Sequence, residues 1–331
     1  MASSRDIERS CDPRLAAPGV AAPVPSHGVG LRFVRLAAAS HATERPHRRR
    51  GVGRWLRALE QRSSHLLARH VYPRVPGIHR PYDQVLREAI TVSTAELAVP
   101  ALAPAFDGLE ILLISDVHAG PFVSRAALSA AFARIAKIPA DLILLGGDLV
   151  TCRAEEFDDL APALGSLVAP LGTFMVLGNH DHATGEPGSV LARAHAAGLE
   201  CLHNRSVELE RDGARLSLAG IDDLREGRPD LDRALRGTRS PVLLLSHHPD
   251  VAFDAARKGV ALVLSGHTHG GQIVLPGFPL RMRQSRHGLD AGRYRAGPAE
   301  VVVSRGLGVV GLPLRVGSPA EVVHLTLRRH E

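Results

Sequence analysis

The stretch Ala261-Leu262-Val263-Leu264-Ser265-Gly266-His267-Thr268-His269-Gly270-Gly271-Gln272 decides how the chain reads. Residues 261–264 are apolar without a break, which predicts a short buried strand. The run stops at Ser265-Gly266, and two imidazoles follow on a turn with two more glycines. The same grammar recurs upstream. Residues 111–115 lead into Asp116-Val117-His118, residues 142–145 into Gly146-Gly147-Asp148, and residues 174–177 into Gly178-Asn179-His180-Asp181. Residues 242–245 lead into Ser246-His247-His248-Pro249-Asp250. Five apolar strands thus deliver Asp, Asn or His at their carboxyl ends, where open α/β sheets collect ligands.

Each motif alone is weak. An Asp after a strand is usually a cap or turn residue, and a lone His is usually structural. Together they are hard to explain by packing, because burying so many polar groups side by side is costly unless a cation satisfies them. Glycine ahead of a ligand removes a Cβ clash and lets the next side chain turn into a shared pocket. Carboxylate, amide and imidazole donors without cysteine suit Mn²⁺ first, with Fe or Zn²⁺ as alternatives. A carboxylate has two oxygens and can bridge two cations, which together clamp a phosphoryl group and activate a water. No GxSxG or Walker signature offers a competing chemistry.

Outward from these motifs, helical segments are expected near 124–137, 155–168, 189–197 and 251–257. Residues 206–210 and 215–219 read as a hairpin around Asp212-Gly213. Strands at 301–304 and 321–327 close the chain. Nearly every strand is apolar throughout and so must be covered on both faces. The expected class is α/β: two packed mixed β-sheets flanked by helices, a four-layer α-β-β-α sandwich. Residues 1–50, rich in Ala, Pro, Arg and Ser, read as a disordered arm. Residues 51–90 read as a basic amphipathic helical extension, with Trp55, Leu59, Leu66 and His70 at helical spacing among arginines. That helix either packs on the protein's own body or touches an anionic membrane; a nucleic-acid arm is a third option. Residues 91–331 form the expected main domain.

The 331 residues carry a net charge of +6, with only Lys137 and Lys258 as lysines, so the arginine excess reflects base composition more than function. Aromatic residues make up 4%, which argues against a stacking platform, and nucleic acid is not expected as a partner. Three scattered cysteines make no disulfide framework. No apolar run reaches the length of a membrane span, and no secretory signal is read at the start. A cytoplasmic placement follows, with peripheral contact at the inner face of a membrane.

The ordered set Asp116-x-His118, Gly146-Gly147-Asp148, Gly178-Asn179-His180-Asp181, His247-His248-Pro249-Asp250 and Gly266-His267-Thr268-His269-Gly270-Gly271-Gln272 resembles the calcineurin-like metallophosphoesterases. The resemblance runs from about Phe106 to Arg328. Phe106-Asp107-Gly108 and Leu312-Pro313-Leu314-Arg315 look most like a bacterial branch whose members are often membrane-associated, some with cell-envelope substrates. It implies two divalent metal ions: Asp116, His118 and His269 on the first, Asn179, His247 and His267 on the second, and Asp148 bridging. His180 would serve as general acid, or stabilise charge on the phosphoryl group, with Asp181 orienting it. His247 takes the ligand role over His248 because of its spacing to the following proline. Many relatives carry an acid three positions after the bridging Asp, where this chain has Thr151. The implied activity is hydrolysis of a phosphodiester, phosphomonoester or pyrophosphate by a metal-bridging hydroxide. The partner is a phosphate-ester substrate, with a lipid-linked or nucleotide-sugar phosphate as one expectation. A nuclease and a catalytically silent metal-binding scaffold are the rival readings. Arg153, Arg225 and Arg305 are equal candidates to grip phosphate; Asp222, Asp223, His182, His195, His203 and His324 read as structural.

Overall fold

The computed structural model describes residues 31–42, 44, 66–275 and 284–330. Fourteen strands lie within them, numbered in chain order: β1 Leu31–Arg35, β2 Ser40–His41, β3 Ile90–Val99, β4 Glu110–Ile114, β5 Leu142–Leu145, β6 Thr173–Met175 and β7 Glu200–Cys201. The remainder are β8 Arg205–Arg211, β9 Ala214–Gly220, β10 Val242–Leu245, β11 Val260–Ser265, β12 Gly292–Ala296, β13 Ala299–Val303 and β14 Glu321–Arg329. They form two seven-stranded sheets, ordered β1-β3-β14-β4-β5-β6-β7 and β2-β12-β13-β11-β10-β9-β8. Both sheets are mixed: β4 to β7 run parallel, while β14 is antiparallel to β4 and β8 to β9. The expected class is what the chain adopts.

Alternation along single strands builds the layers. Leu113, Leu144, Leu243, Leu245, Leu262 and Leu264 face the gap between the sheets and fill one core. Their neighbours Leu112, Leu145 and Ile114 face outward, under helices Arg125–Ile135 and Phe157–Leu164. Leu244 and Val263 face outward on the second sheet, under Ala252–Arg257. The central strands, such as β5, β10 and β13, are buried along their whole length because both their faces are covered. The hairpin turns at Asp212 and Gly213, both with positive φ (51° and 75°), as a two-residue connection of this hand requires.

The amino-terminal boundaries need correction. Leu31–Arg35, expected within a disordered arm, pairs in parallel with β3, and Leu31 and Phe33 join the core on the outer face of the first sheet. The strand is short and its alternation brief, so sequence pattern alone concealed it; capping the edge of β3 is the physical gain. Helix Arg80–Glu88 in the expected extension packs on the body through the fully buried Tyr82 and Leu86. A boundary at 91 would cut through β3. Residues 1–30 of the arm, and the helix predicted over 51–72 as far as residue 65, lie outside the described residues. The end of that helix is a single wide turn, Leu67–Val71, running into the tight turn Tyr72–Arg74.

Candidate metal centre

All five predicted strand ends open onto one site. Asp116, His118, Asp148, His247, His267 and His269 are buried, while Asn179 and His180 are half-buried. The turns that aim them are unusual. Asp116, His118, Asp148, His267 and His269 take φ of 52°, 48°, 53°, 71° and 51°, five of the nine non-glycine residues in that region among the described residues. Left-handed backbone is costly for an L-residue and persists where the surrounding structure enforces it, typically at functional sites. Glycines supply the room: a Cβ on Gly147 (φ +86°) would meet the Gly178 amide nitrogen at 2.7 Å and His247 Nδ1 at 2.9 Å.

Two clusters share one carboxylate. His269 Nε2 lies 3.3 Å from Asp116 Oδ1 and 3.1 Å from His118 Nε2. His247 Nε2 lies 3.2 Å from His267 Nδ1. Asp148 Oδ2 stands 3.2 Å from His247 Nε2 and 3.7 Å from His118 Nε2, touching both sets. His180 falls in with His118 and Asp148, with donor atoms within 4.8 Å of one another. Buried imidazole nitrogens facing one another need a proton or a cation between them. Asn179 Oδ1 is buried with no hydrogen-bond partner, an oxygen free to coordinate. The donor set therefore fits hard or borderline divalent cations.

Electrostatics agree. Burial alone would raise the Asp116 carboxyl, but the His269 and His247 imidazoles outweigh it and hold it at about 2. Asp148 is likewise held well below the usual range against its burial, by His247 and His180. Burial opposes charge on His247 too, yet Asp148 lifts it to about 10. Burial lowers His118, His267 and His269, leaving neutral rings with lone pairs to give.

Between the two adjacent histidines the structure brings in His247. Its Nδ1–H donates to the Gly146 carbonyl at 2.7 Å, leaving Nε2 for the cluster. His248 instead lies over the His267 ring (centroids 4.2 Å apart) and accepts the Asp250 amide, with burial driving it down to about 3.

The part expected of Asp181 is corrected. Its carboxylate takes backbone N–H bonds from Asp148 (2.8 Å), Gly178 (2.9 Å), Leu149 (2.9 Å) and Val150 (3.1 Å). The His180 ring is held elsewhere, by Nδ1 to the Thr151 carbonyl at 2.7 Å. Four converging donors are a stronger claim on one buried carboxylate than a single imidazole. Thr151, standing where relatives carry an acid, contributes through its backbone.

The arginines also separate. Arg305 is bound to Glu321 at 2.5 Å, and the Arg153 guanidinium donates to the Arg69 carbonyl. Arg225 is exposed, with Nη1 3.2 Å from His267 Nε2. Its loop is shaped by Asp223, whose carboxylate accepts the Arg225 and Glu226 amides at 2.8 Å each. His182 and Asp222 pair at 2.7 Å as structural groups. Sequence reading missed Arg315, which reaches His269 Nδ1 at 3.2 Å and the Gly308 carbonyl. Its only signal was a place in the Leu312-Pro313-Leu314-Arg315 tail.

Residues 109–271 match the family model for calcineurin-like phosphoesterases. The metallophosphoesterase YkuE of Bacillus subtilis is 32% identical over 254 residues, covering 75% of this chain and 89% of that protein. The chain belongs to the metallophosphoesterases. Two proteins named transmembrane protein with metallophosphoesterase domain, from Danio rerio and Bos taurus, are 33% and 34% identical, each match covering 72% of this chain. The chain spans 57% of the length of those two metallophosphoesterases. Their names overturn the cytoplasmic placement expected from the sequence. Among the described residues, no helix is long and apolar enough to cross a membrane.

Proposed function

We propose that this metallophosphoesterase hydrolyses a phosphodiester, phosphomonoester or pyrophosphate at a centre of two divalent cations. Asp116, His118 and His269 would hold one, Asn179, His247 and His267 the other, with Asp148 between. The observation that carries this reading is the position of Asp148 Oδ2, 3.7 Å from a nitrogen of the first set and 3.2 Å from one of the second. Manganese is the proposed metal, because the donors are carboxylate, amide and imidazole with no thiolate. When bound, the cations would supply positive charge at the phosphoryl oxygens and lower the pKa of a water.

The chain's own groups do the rest. His180 donates Nδ1–H to the Thr151 carbonyl, so Nε2 is the nitrogen that carries a proton to the leaving-group oxygen. Arg225, the least committed of the three candidate arginines, neutralises a phosphoryl oxygen. Arg315 and Asp181 hold the ligand loops in place. A silent scaffold has no need of an imidazole held this way beside the ligands.

The test is metal analysis of the purified protein with rates on mono- and diester nitrophenyl substrates in added Mn²⁺. About two ions per chain are expected, with both metal and hydrolysis lost in Asp148→Asn. Hydrolysis that survives exhaustive chelation, or full occupancy and rate in Asp148→Asn, removes this reading.

A further inference from the structure

A cavity of about 270 Å³ opens beside the centre, lined by His269 with Tyr72, Gln272, Ile273, Val310 and Leu312 among its walls. Several of its polar side chains are already bonded, and Gln284, also in the wall, accepts from Arg225 Nη1 at 3.4 Å. The Gln272 amide donates to the Val310 and Leu312 carbonyls (2.9 and 3.3 Å) and accepts the Val310 amide at 3.0 Å. The hydroxyl of Thr268, also in the wall, is given to the Asp290 carbonyl, and the Tyr72 ring packs on Phe122 with centroids 4.9 Å apart. Apart from His269, no ionisable side chain except the Tyr72 phenol lines the space.

Exposed aliphatic residues lie on or next to these wall positions along the chain. Val71, Leu275, Leu312 and Leu314 lie on or within two residues of lining positions and are 45–51% exposed. With Leu66, Leu67 and Val75 on the segment that carries Tyr72, they account for every exposed large aliphatic among the described residues except Val168. Exposed apolar side chains gathered at one place mark a binding surface. A protein partner would need on the order of 800 Å² per side, whereas this feature is one cavity. Its occupant also meets His269, which the proposed reading makes a metal ligand, so an occupant joined to the reacting phosphoryl group reaches both.

We infer that this cavity is a subsite for a hydrocarbon chain, and that the substrate is an amphiphilic phosphate ester. The inference rests on the hydrolytic reading above. An apolar cavity of about 150 Å³ accommodates benzene, so 270 Å³ takes a chain of roughly ten carbons on the same scale. In the reaction, water oxygen bonds to phosphorus, the phosphorus–oxygen bond to the leaving group breaks, and that oxygen departs with a proton. The alkyl chain stays on the retained phosphate.

The test is a series of alkyl 4-nitrophenyl phosphodiesters, methyl to octyl, kept below their aggregation concentrations with Mn²⁺-loaded protein. Each releases nitrophenolate and leaves the alkyl phosphate. We expect kcat/KM to rise about tenfold or more from methyl to octyl. Leu312→Gln is expected to bring the octyl-to-methyl ratio to about one, and Leu312→Met to restore it. A flat series in a protein that cleaves the methyl ester overturns the subsite, as does an undiminished ratio in Leu312→Gln. Should no ester be cleaved, the hydrolytic reading falls. The subsite is then judged by calorimetric binding of n-octyl phosphate against methyl phosphate, where equal affinities overturn it.

Discussion

The carboxylate of Asp181 receives the backbone N–H of Asp148 at 2.8 Å, so the loop that presents the central carboxylate is held from beneath by an acid thirty-three residues away. Asp181 Oδ1 takes the next two amides as well. The cost is visible in the acid itself: burial, then the charge of Asp148, pushes its carboxyl up to about 6.

Asp181→Asn places an amide NH₂ against some of these donors. Loss of about 1–3 kcal/mol of stability is expected, the cost of buried groups left unpaired, with weakened metal uptake. Chemical denaturation in chelator and a metal titration measure the two. Unchanged metal affinity with only a slower turnover would return Asp181 to the role of orienting His180.

His180→Ala should retain its metal content and lose turnover by about 10²–10⁴-fold, the range for one acid–base group. Thr151→Ala keeps the carbonyl that holds the ring and should stay within a few-fold of the native rate. A Thr151→Ala loss as large as that of His180→Ala would mean that the hydroxyl, which bonds the His118 carbonyl at 3.1 Å, carries the effect instead.

Arg225→Gln should raise KM for nitrophenyl phosphate about tenfold while leaving kcat within a few-fold, because a charge that meets substrate in the ground and transition states alike acts on binding. Inorganic phosphate should inhibit this variant less than the native protein. Equal inhibition constants would take Arg225 out of the substrate's reach.

The His182–Asp222 pair predicts a pH-dependent stability. Burial opposes both shifts, but the bond between them raises His182 and lowers Asp222 to about 2. A raised His contributes fully below its unfolded value of about 6.5 and fades as pH climbs through the raised one. A lowered Asp contributes above its unfolded value of about 3.9 and fades as pH falls towards 2. Both are present between roughly pH 4 and 6.5. Asp222→Asn should therefore cost about 1 kcal/mol more at pH 5 than at pH 9, after allowance for the partly exposed imidazole. Urea unfolding at both pH values checks it; equal losses would assign Asp222 wholly to its bonds with the Asp223 and Arg228 amides.

Much of this protein was legible in the chain alone. Apolar runs of four or five residues leading into Asp, Asn or His specified strands, their burial on both faces and the end at which polar donors gather, because strand period and turn chemistry are local properties. Asp212-Gly213 specified its hairpin for the same reason. Only the tertiary structure decided that His247 meets Asp148 while His248 lies over His267, that Asp181 serves the Asp148 loop and not the His180 ring, and that Arg225 is the arginine near His267. It also drew Leu31–Arg35 onto β3 and brought Tyr72, Ile273, Val310 and Leu312 from three separate segments into the wall of one cavity. Those outcomes join residues tens to hundreds of positions apart, and competition among buried donors and acceptors for partners is settled by packing rather than by any pattern along the chain.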